Sequence, residues 1–446
     1  MAETRLLVVV FVPVALLLTY VAWSRSQAFG ISFVLLVIYT VFTQIAYAWY
    51  PQALYMVYPH EPFPENVFWM YWAYVVSALC LIALFSKPLY RVRPKLEIVR
   101  QSVPTSVRGL MELLHHLSMA VYSSILAYLL WRNYGGLSYQ SQFILKNNHL
   151  WFWLFELSGL VMLSLWTRVI GGKSTLRKAT GMAWLLIVTA VTLATAVRAG
   201  QRIEIVQGLL GFIGLVFSLH GYQHRRAFLA AGSIALPSLV LMQGIRALRR
   251  SQIDFGTFLT FLPEMSQRFL AALSLELLVF QDYTVPSMTL MYSIAHGVVM
   301  PGQVMLNNLA NLAVLVDYPT LGAILSRMLD PDSATGYGYY LLTEGYNVAG
   351  MVGIFYAAVV FVVGIWGLER VIANAQDTLL RSYVQGVVAF LALGFVRGQS
   401  FWFVKSIYME LLPALVLFML AHGEVLRLTK KQKHAECSKG KRERHV

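Results

Sequence analysis

Eight arginines lie at the ends of apolar segments on one side of the predicted topology, where lysine is almost absent. They are Arg198, Arg202, Arg246, Arg249, Arg250, Arg268, Arg327 and Arg397, and the only lysines in the same regions are Lys146 and Lys405. The guanidinium of arginine is planar and can donate two parallel hydrogen bonds to two oxygens of a phosphate group. As a set these arginines could bind the diphosphate headgroup of a lipid. Each one could instead anchor a helix at the membrane interface or pair with an acid.

Metal and nucleotide chemistry have little support in the sequence. Asp330-Pro331-Asp332 has the D-x-D spacing that binds Mg²⁺ or Mn²⁺ in nucleotide-sugar transferases, but two acids around a proline more often form a turn. No P-loop, dinucleotide fingerprint or serine-nucleophile elbow occurs. We therefore expect no metal and no other cofactor. Glu156 lies inside an apolar segment, where an ionisable group is costly and usually functional.

Membrane helices are expected to position these residues. Of the 446 residues, 58% are hydrophobic and 13% are charged, against about 25% charged in soluble proteins. Apolar runs without period-2 alternation recur along the chain, which favours helices over a barrel. We predict an all-α polytopic membrane protein with about 11 transmembrane helices, in the range of roughly 10–12. The predicted spans are residues 5–23, 29–50, 67–86, 111–131, 149–167, 180–197, 204–219, 227–244, 346–368, 383–396 and 405–422.

The basic segments predict the orientation of the chain. Segments 87–110, 168–179, 220–226 and 369–382 and the tail after residue 422 carry most of the 35 Lys and Arg residues and fall on one side. The positive-inside rule makes that side cytoplasmic. We therefore expect a multi-pass protein of a bacterial inner membrane. Its N-terminus is expected in the periplasm and its C-terminus in the cytoplasm. The net charge of +14 needs no nucleic-acid partner.

The predicted spans divide the chain into four regions. Residues 1–244 form an N-terminal bundle of about eight spans, and residues 346–422 form about three more. Residues 245–345 are a large outer loop, far longer than the usual limit of about 15 residues. Because the loop is rich in Leu, Phe, Tyr and Met, we expect it to be partly helical, with helices at the membrane interface. Residues 423–446 are predicted to be a basic cytoplasmic tail, in which KKQKHAECSKGKRERHV is a disordered arm near anionic membrane lipids.

Several segments in the second half of the chain have recognisable patterns. In ATAVRAGQRIEIVQGLLGFIG an Arg lies just after a predicted span and before the next one. This segment resembles the short outer hairpin of the O-antigen polymerases (Wzy-type), which polymerise oligosaccharide repeat units. GYGYYLLTEGYNVAGMVGIFYAAVVFVVGIWGLERVI resembles their span after the large periplasmic loop, including the G-x-x-G pattern. MYSIAHGVVMPGQVMLNN resembles part of that loop, and GFVRGQSFWFVKSIY resembles their last outer loop. The resemblance covers about residues 180–422 and implies a GT-C-like architecture.

The resemblance implies a glycosyltransferase that acts at the periplasmic face. The donor is a growing polysaccharide on undecaprenyl diphosphate, and the acceptor is one repeat unit on a second undecaprenyl diphosphate. The leaving diphosphate develops negative charge, which positioned cations would stabilise, and a carboxylate or His would take the proton of the attacking hydroxyl. Membrane lipids and a protein that regulates chain length are the other expected partners.

Residues of this chain can be assigned to these roles. Arg198 and Arg397 match arginines of the family and are the first candidates for diphosphate contacts, followed by Arg202, Arg249 and Arg250. Candidate bases are Glu344, which could also be only a favourable charge at a helix N-terminus, and His296, which could be structural. Tyr337, Tyr340 and Trp402 are candidates for stacking on sugar rings, and Tyr339 lies among them.

Two other functions remain compatible with the sequence. An O-antigen ligase attaches finished chains to a different acceptor and shares the architecture, so sequence separates it poorly from a polymerase. A transporter or flippase of lipid-linked sugars should show internal repeats with broken helices in matched positions, and the sequence shows no such symmetry. The sugar, the linkage, the anomeric outcome, the type of polymer and the oligomeric state are left open.

Overall fold

The computed structural model describes residues 2–24, 27–49, 63–89, 96–132, 157–172, 174–199, 203–220, 285–312, 321, 324–325, 328, 339–397 and 400–430. This part of the chain is mostly helical. In chain order its helices are α1 Ala2–Trp23, α2 Gln27–Trp49, α3 Glu65–Leu89, α4 Thr105–Arg132, α5 Ser158–Gly171, α6 Thr175–Ala199, α7 Ile203–His220, α8 Val285–Ala295, α9 Pro301–Leu312, α10 Leu341–Ala349, α11 Ile354–Asn374, α12 Thr378–Arg397, α13 Phe401–Ser406 and α14 Leu412–His422. A 3₁₀ turn, Gly350–Gly353, joins α10 to α11, and a π-helical turn, Ile407–Leu411, joins α13 to α14. The strands are β1 Leu96–Ser102 and β2 Glu424–Lys430.

Several helices are long and apolar enough to cross a membrane. Among the described residues there are five such segments: Arg5–Trp23, Glu65–Lys87, Thr175–Thr195, Leu341–Asn374 and Phe403–His422. Shorter apolar helices cover Phe29–Val41, Ser158–Gly171, Gln207–Val216 and Thr378–Ala392. The protein is therefore a predominantly helical one with membrane-spanning character, as its composition predicts.

The predicted spans fall on helices, but α4, over the predicted span 111–131, is not among the five described segments that are long and apolar enough to cross a membrane. Two strands also lie where the sequence predicts none. Every predicted span overlaps a helix except 227–244, which lies outside the described residues. The sequence predicts a loop over 87–110, but this segment contains β1 and the first turn of α4. The sequence also predicts a basic tail from residue 423 onwards, and the structure places a strand at its start, since β2 begins at Glu424. The backbone hydrogen bonds of each strand are made with the other strand, which is far away in the sequence. Neither segment by itself therefore shows a pattern that predicts a strand.

Helix α12 lies at the centre of the bundle, because α2, α5, α7 and α11 all pack against it and residues 382–390 are buried without exception. Its closest neighbour is α7, which it meets through small residues. A Cβ on Gly214 would lie 2.6 Å from the Cβ of Ala389, and one on Gly386 would lie 2.8 Å from the carbonyl oxygen of Gly211. Small residues allow two helix backbones to approach closely, as in many membrane helix pairs.

The outer helices expose large apolar side chains. Leu16 and Leu17 of α1 are 64% and 63% exposed, and Leu186 of α6 is 64% exposed. Leu113 and Leu117, one turn apart on α4, are also exposed. Water-soluble surfaces rarely carry such continuous apolar faces. These faces fit contact with lipid acyl chains.

A two-stranded sheet ties the C-terminal strand to the segment before α4. β1 and β2 pair antiparallel, with Leu96 opposite Lys430 and Ser102 opposite Glu424. Arg100 forms an ion pair with Glu424 and donates a hydrogen bond of 2.8 Å to Asp377, the residue before α12. Burial by itself would lower the pKa of the Arg100 guanidinium, but these hydrogen bonds outweigh burial and raise its pKa. Arg100 therefore joins three distant parts of the chain as a permanently charged group.

Asp377 makes this junction sensitive to acid. Burial by itself would raise the pKa of its carboxyl, but hydrogen bonds from the Leu380 backbone N–H and from Arg100 outweigh burial and lower its pKa. The ion pair therefore contributes its full stability above the ordinary Asp pKa of about 3.9 and loses it as pH falls through the lowered value.

We expect Asp377→Asn to speed the hydrogen exchange of the β2 amides at pH 7. The difference from wild type should begin to shrink as pH falls below about 3.9 and should disappear below the lowered pKa, where the carboxyl of the folded wild type is also neutral. Mass-spectrometric hydrogen exchange across this pH range, corrected for intrinsic rates, measures both effects. An equal difference at pH 7 and below the lowered pKa would show that the charge of Asp377 does not hold the sheet.

Those parts of the basic segments that the structure describes meet at one end of the bundle. This basic end consists of β1, β2, the beginning of α4, the junction of α5 and α6, and Asp377. α12 leaves it at Thr378 and runs for 20 residues to Arg397, which is a rise of about 30 Å. The segment after Arg397 therefore lies at the opposite end of the bundle.

Candidate functional site

Glu344 is a carboxylate buried at the end of the bundle opposite the basic end. It lies in the first turn of α10, where the helix dipole favours a negative charge. Its side chain is fully buried, and so are all residues from Leu341 to Asn347. A buried carboxylate is costly unless hydrogen bonds replace its water. The surroundings of Glu344 therefore determine whether it can remain charged.

The Glu344 carboxylate accepts four hydrogen bonds. The Asn308 side-chain amide donates to Oε1 over 2.7 Å, the Tyr356 hydroxyl over 2.9 Å and the Ser400 hydroxyl over 2.6 Å. The Ser400 backbone N–H donates to Oε2 over 2.6 Å. No Arg or Lys among the described residues forms an ion pair with Glu344. Charge-assisted hydrogen bonds of this length are strong, so neutral donors satisfy the carboxylate.

We call Glu344, Asn308, Tyr356 and Ser400 the carboxylate cluster. Its members come from α9, α10, α11 and the residue before α13, so four segments meet at one side chain. Asn308 also donates a hydrogen bond of 2.9 Å to the Ser400 hydroxyl, and the single proton of the Tyr356 hydroxyl is shared between Glu344 Oε1 and Ser400 Oγ, which lies 2.8 Å away. The three other side chains are thus hydrogen-bonded to one another as well as to the carboxylate. A shift of any of the four segments would therefore disturb the carboxylate.

A break between α10 and α11 brings Glu344 and Tyr356 together. The Gly350–Gly353 turn interrupts the helix, and Gly350 has φ +60°, which favours glycine. A Cβ on Gly353 would lie 1.7 Å from the carbonyl oxygen of Gly345. Only glycine fits this approach of two backbone segments. The G-x-x-G pattern noted in the sequence therefore has a local structural reason.

The other candidate base, His296, lies on the surface just after α8. Its ring stacks on Tyr292 at a centroid distance of 4.1 Å, and its Nδ1 is 3.1 Å from the Tyr292 carbonyl oxygen. Two residues later, Val298 accepts a hydrogen bond of 2.7 Å from the side-chain amide of Asn347 on α10. The segment of His296 therefore adjoins α10, although no contact between His296 and Glu344 occurs in the described residues.

The structure places three other candidates near the carboxylate cluster. Arg397 is the last residue of α12, three positions before Ser400, and Trp402 is the second residue of α13. Their backbones are described and their side chains lie outside the description. Tyr340 precedes α10, but its ring is fully buried and could meet a sugar only after a rearrangement. Its neighbour Tyr339 is also buried.

The remaining candidates lie outside what the structure describes. Arg198 belongs to the last turn of α6, but its side chain is not described. The other residues outside the description are Arg202, Arg249, Arg250, Tyr337, Glu156, Asp330 and Asp332. Their predicted roles stay predictions. Within the described ranges, no three His, Cys, Asp or Glu side chains are grouped so that they could hold a metal ion.

Sequence analysis missed the partners of Glu344. Asn308 lies in MLNNLANL, Ser400 lies between Arg397 and the apolar FWFV, and Tyr356 lies in an apolar helix. The available signal was a polar side chain in an apolar stretch, which needs a hydrogen-bond partner when it is buried. Nothing local indicates that Asn308, Tyr356 and Ser400 share one partner.

The fold defines the class of the protein as a mostly helical chain with membrane-spanning helices and a buried carboxylate cluster at one end. Comparison with known proteins adds no narrower class, since neither a family model nor a curated protein nor a solved structure matches the chain. Function must therefore be argued from the chemistry of the site.

Proposed function

We propose that the protein polymerises lipid-linked oligosaccharide repeat units by glycosyl transfer at the periplasmic face of a bacterial inner membrane. The observation that carries the proposal is the contact of Glu344 with Ser400, because it joins a buried carboxylate to the segment that contains Arg397. A candidate base and a candidate phosphate ligand thereby share one end of a membrane bundle, which is what the reaction requires.

The reaction needs two charged groups close together. The hydroxyl of the acceptor sugar attacks the anomeric carbon of the growing chain, a new C–O bond forms, and the bond to the lipid diphosphate breaks. A base receives the hydroxyl proton, and a cation stabilises the diphosphate that leaves. In our proposal Glu344 is the base, and Arg397 and Arg198 are the cations. The acceptor hydroxyl would take the place of a neutral donor such as Ser400 Oγ, which is 2.6 Å from Oε1.

The break between α10 and α11 also fits a second function. Secondary transporters bind their substrates at discontinuous helices, and residues 341–374 form one apolar segment with a break at Gly350–Gly353. A transporter of lipid-linked sugars would use this break as a hinge. Such a protein would move repeat units across the bilayer without joining them.

Reconstitution with lipid-linked repeat units separates the candidate functions. We expect the wild type to produce a ladder of polymer lengths on a gel, and Arg198→Ala and Arg397→Ala to lower its rate by about 10²-fold, since each removes a cation from the developing charge. Arg370→Ala is the matched control, because Arg370 lies near the end of α11 that approaches the basic end, over the ring of Trp366. It should retain the ladder.

Folding of all variants is checked by their thermal unfolding in detergent. Repeat units that cross the bilayer without a ladder would reject the polymerase and favour the transporter. Transfer of finished chains to another acceptor, again without a ladder, would favour a ligase. A ladder that survives in both well-folded arginine variants would remove these two residues from the site.

A further inference from the structure

Four arginines line one cavity at the basic end, about 30 Å away from the carboxylate cluster along α12. They come from four different elements, namely β1, α4, α5 and α6. The charged residues and the histidine that line the cavity are Arg100, Arg108, Arg168, Arg177, His422 and Glu424. The cavity has a volume of about 30 Å³, more than the roughly 10–15 Å³ that one water molecule needs.

Arg168 is the deepest of the four. Its side chain is only 2% exposed. One terminal nitrogen donates to the Ala421 carbonyl oxygen over 2.6 Å, and the other to Glu112 over 2.7 Å. Arg177 donates to the second oxygen of the same carboxylate over 2.8 Å. The buried Nε–H of Arg168 has no acceptor among the described residues. A buried cationic donor without an acceptor is costly, and an anion in the cavity would remove the cost.

Arg108 has no acidic partner among the described residues. Its Nε is buried without an acceptor. Its aliphatic stem lies against the turn after α14, where a Cβ on Gly423 would be 2.9 Å from Arg108 Cγ. The surrounding carboxylates are already engaged, because Glu112 binds Arg168 and Arg177. Glu424 and Asp377 bind Arg100. The four arginines thus face three carboxylates, and one positive charge is left over.

We propose that this cavity binds a phosphate group. A phosphate oxygen presents several acceptor lone pairs, which suit the two Nε–H donors of Arg108 and Arg168, and its negative charge balances the excess arginine. The group can belong to an inner-leaflet phospholipid or to soluble phosphate, since the cavity lies at the ends of apolar helices. This site is separate from the proposed polymerase site and does not depend on it.

Binding is tested with the full chain in detergent. The thermal unfolding midpoint is measured against inorganic phosphate at constant ionic strength, with chloride as the balancing anion, and separately against phosphatidate in mixed micelles. We expect the wild type to be stabilised by at least one of these probes. Arg108→Gln should need about tenfold more of that probe for the same shift, because it loses one charged donor. It breaks no hydrogen bond of the Arg108 side chain to the described residues, so folding should be retained.

Arg427→Gln is the matched control for net charge. Arg427 is on β2, three residues after Glu424, and therefore points to the other face of the sheet. It should respond like the wild type. A response to inorganic phosphate identifies soluble phosphate as sufficient, and a response to phosphatidate alone identifies a lipid headgroup. Equal responses of wild type and Arg108→Gln, or no response to either probe, would overturn the proposal.

Discussion

Glu344→Gln is expected to lower the rate of polymer formation by about 10²- to 10⁴-fold, which is the contribution of a general base. The proposal assigns the proton of the attacking hydroxyl to this carboxylate, and an amide cannot accept it. The same change places an amide N–H₂ among donors from Asn308, Tyr356 and Ser400. A cost of about 1–3 kcal/mol in stability follows if one donor is left unsatisfied. Activity and unfolding must therefore be measured together.

Asn308→Ala is the matched control for this prediction. It removes one of the hydrogen bonds to Glu344 but leaves the carboxylate in place. We expect a comparable loss of stability with a rate within about tenfold of wild type, since the base is retained. The readouts are the gel ladder at saturating repeat unit and the thermal unfolding midpoint. If both variants lose activity in proportion to stability, Glu344 holds the site together and does not take the proton.

Gly353→Ala is expected to destabilise the protein more than the same substitution at Gly350 or Gly367. The new Cβ would lie 1.7 Å from the carbonyl oxygen of Gly345, so two backbone segments must separate. Overpacking typically costs about 1–3 kcal/mol and occasionally more, and we expect the upper end here because the obstructing atoms are backbone. Because Gly345 follows Glu344 directly, the carboxylate cluster should shift as well, and activity should fall together with stability.

These two other glycines provide graded controls for Gly353→Ala. Gly350→Ala adds a Cβ whose nearest neighbour is 3.7 Å away, but at φ +60° and ψ −138° the backbone is strained for any other residue, which costs about 1–3 kcal/mol. Gly367→Ala lies in α11 with no atom within 4 Å of the new Cβ. It should be neutral or stabilising by about 0.4–1 kcal/mol.

Thermal unfolding midpoints should rank Gly353→Ala below Gly350→Ala and Gly350→Ala below Gly367→Ala. A Gly353→Ala protein as stable as Gly367→Ala would show that the α10–α11 break relaxes without cost.

The Glu344→Gln and Gly353→Ala predictions test two different properties of the same site, namely the chemistry of a side chain and the backbone path that positions it. Glu344→Gln changes the chemistry of the carboxylate while the backbone remains free to keep its path. Gly353→Ala keeps the carboxylate but changes the backbone that positions it. If Glu344→Gln loses much more activity than stability while Gly353→Ala loses both together, Glu344 has a chemical role. If both variants lose activity and stability together, the role of Glu344 is purely structural.

Amino-acid sequence alone was sufficient to predict that the protein is mostly helical and that several of its helices are apolar enough to cross a membrane. Each apolar run carries its own signal, because a helix satisfies all of its backbone hydrogen bonds within one segment. The charge pattern also placed the basic segments on a common side, and in the structure Arg100, Arg168 and Arg177 do meet at one end. The number of spans remains a prediction, since 227–244 lies outside the described residues.

The partners of the functional side chains were decided only by tertiary structure. Glu344 meets Asn308 and Ser400, which are 36 and 56 residues away in the chain, and Arg100 meets Glu424 across 324 residues. The pairing of β1 with β2 and the close contact of Gly345 with Gly353 also join residues that are not neighbours in the sequence. A hydrogen bond or a backbone contact between distant segments depends on how the helices pack. Local composition and periodicity carry no information about that packing.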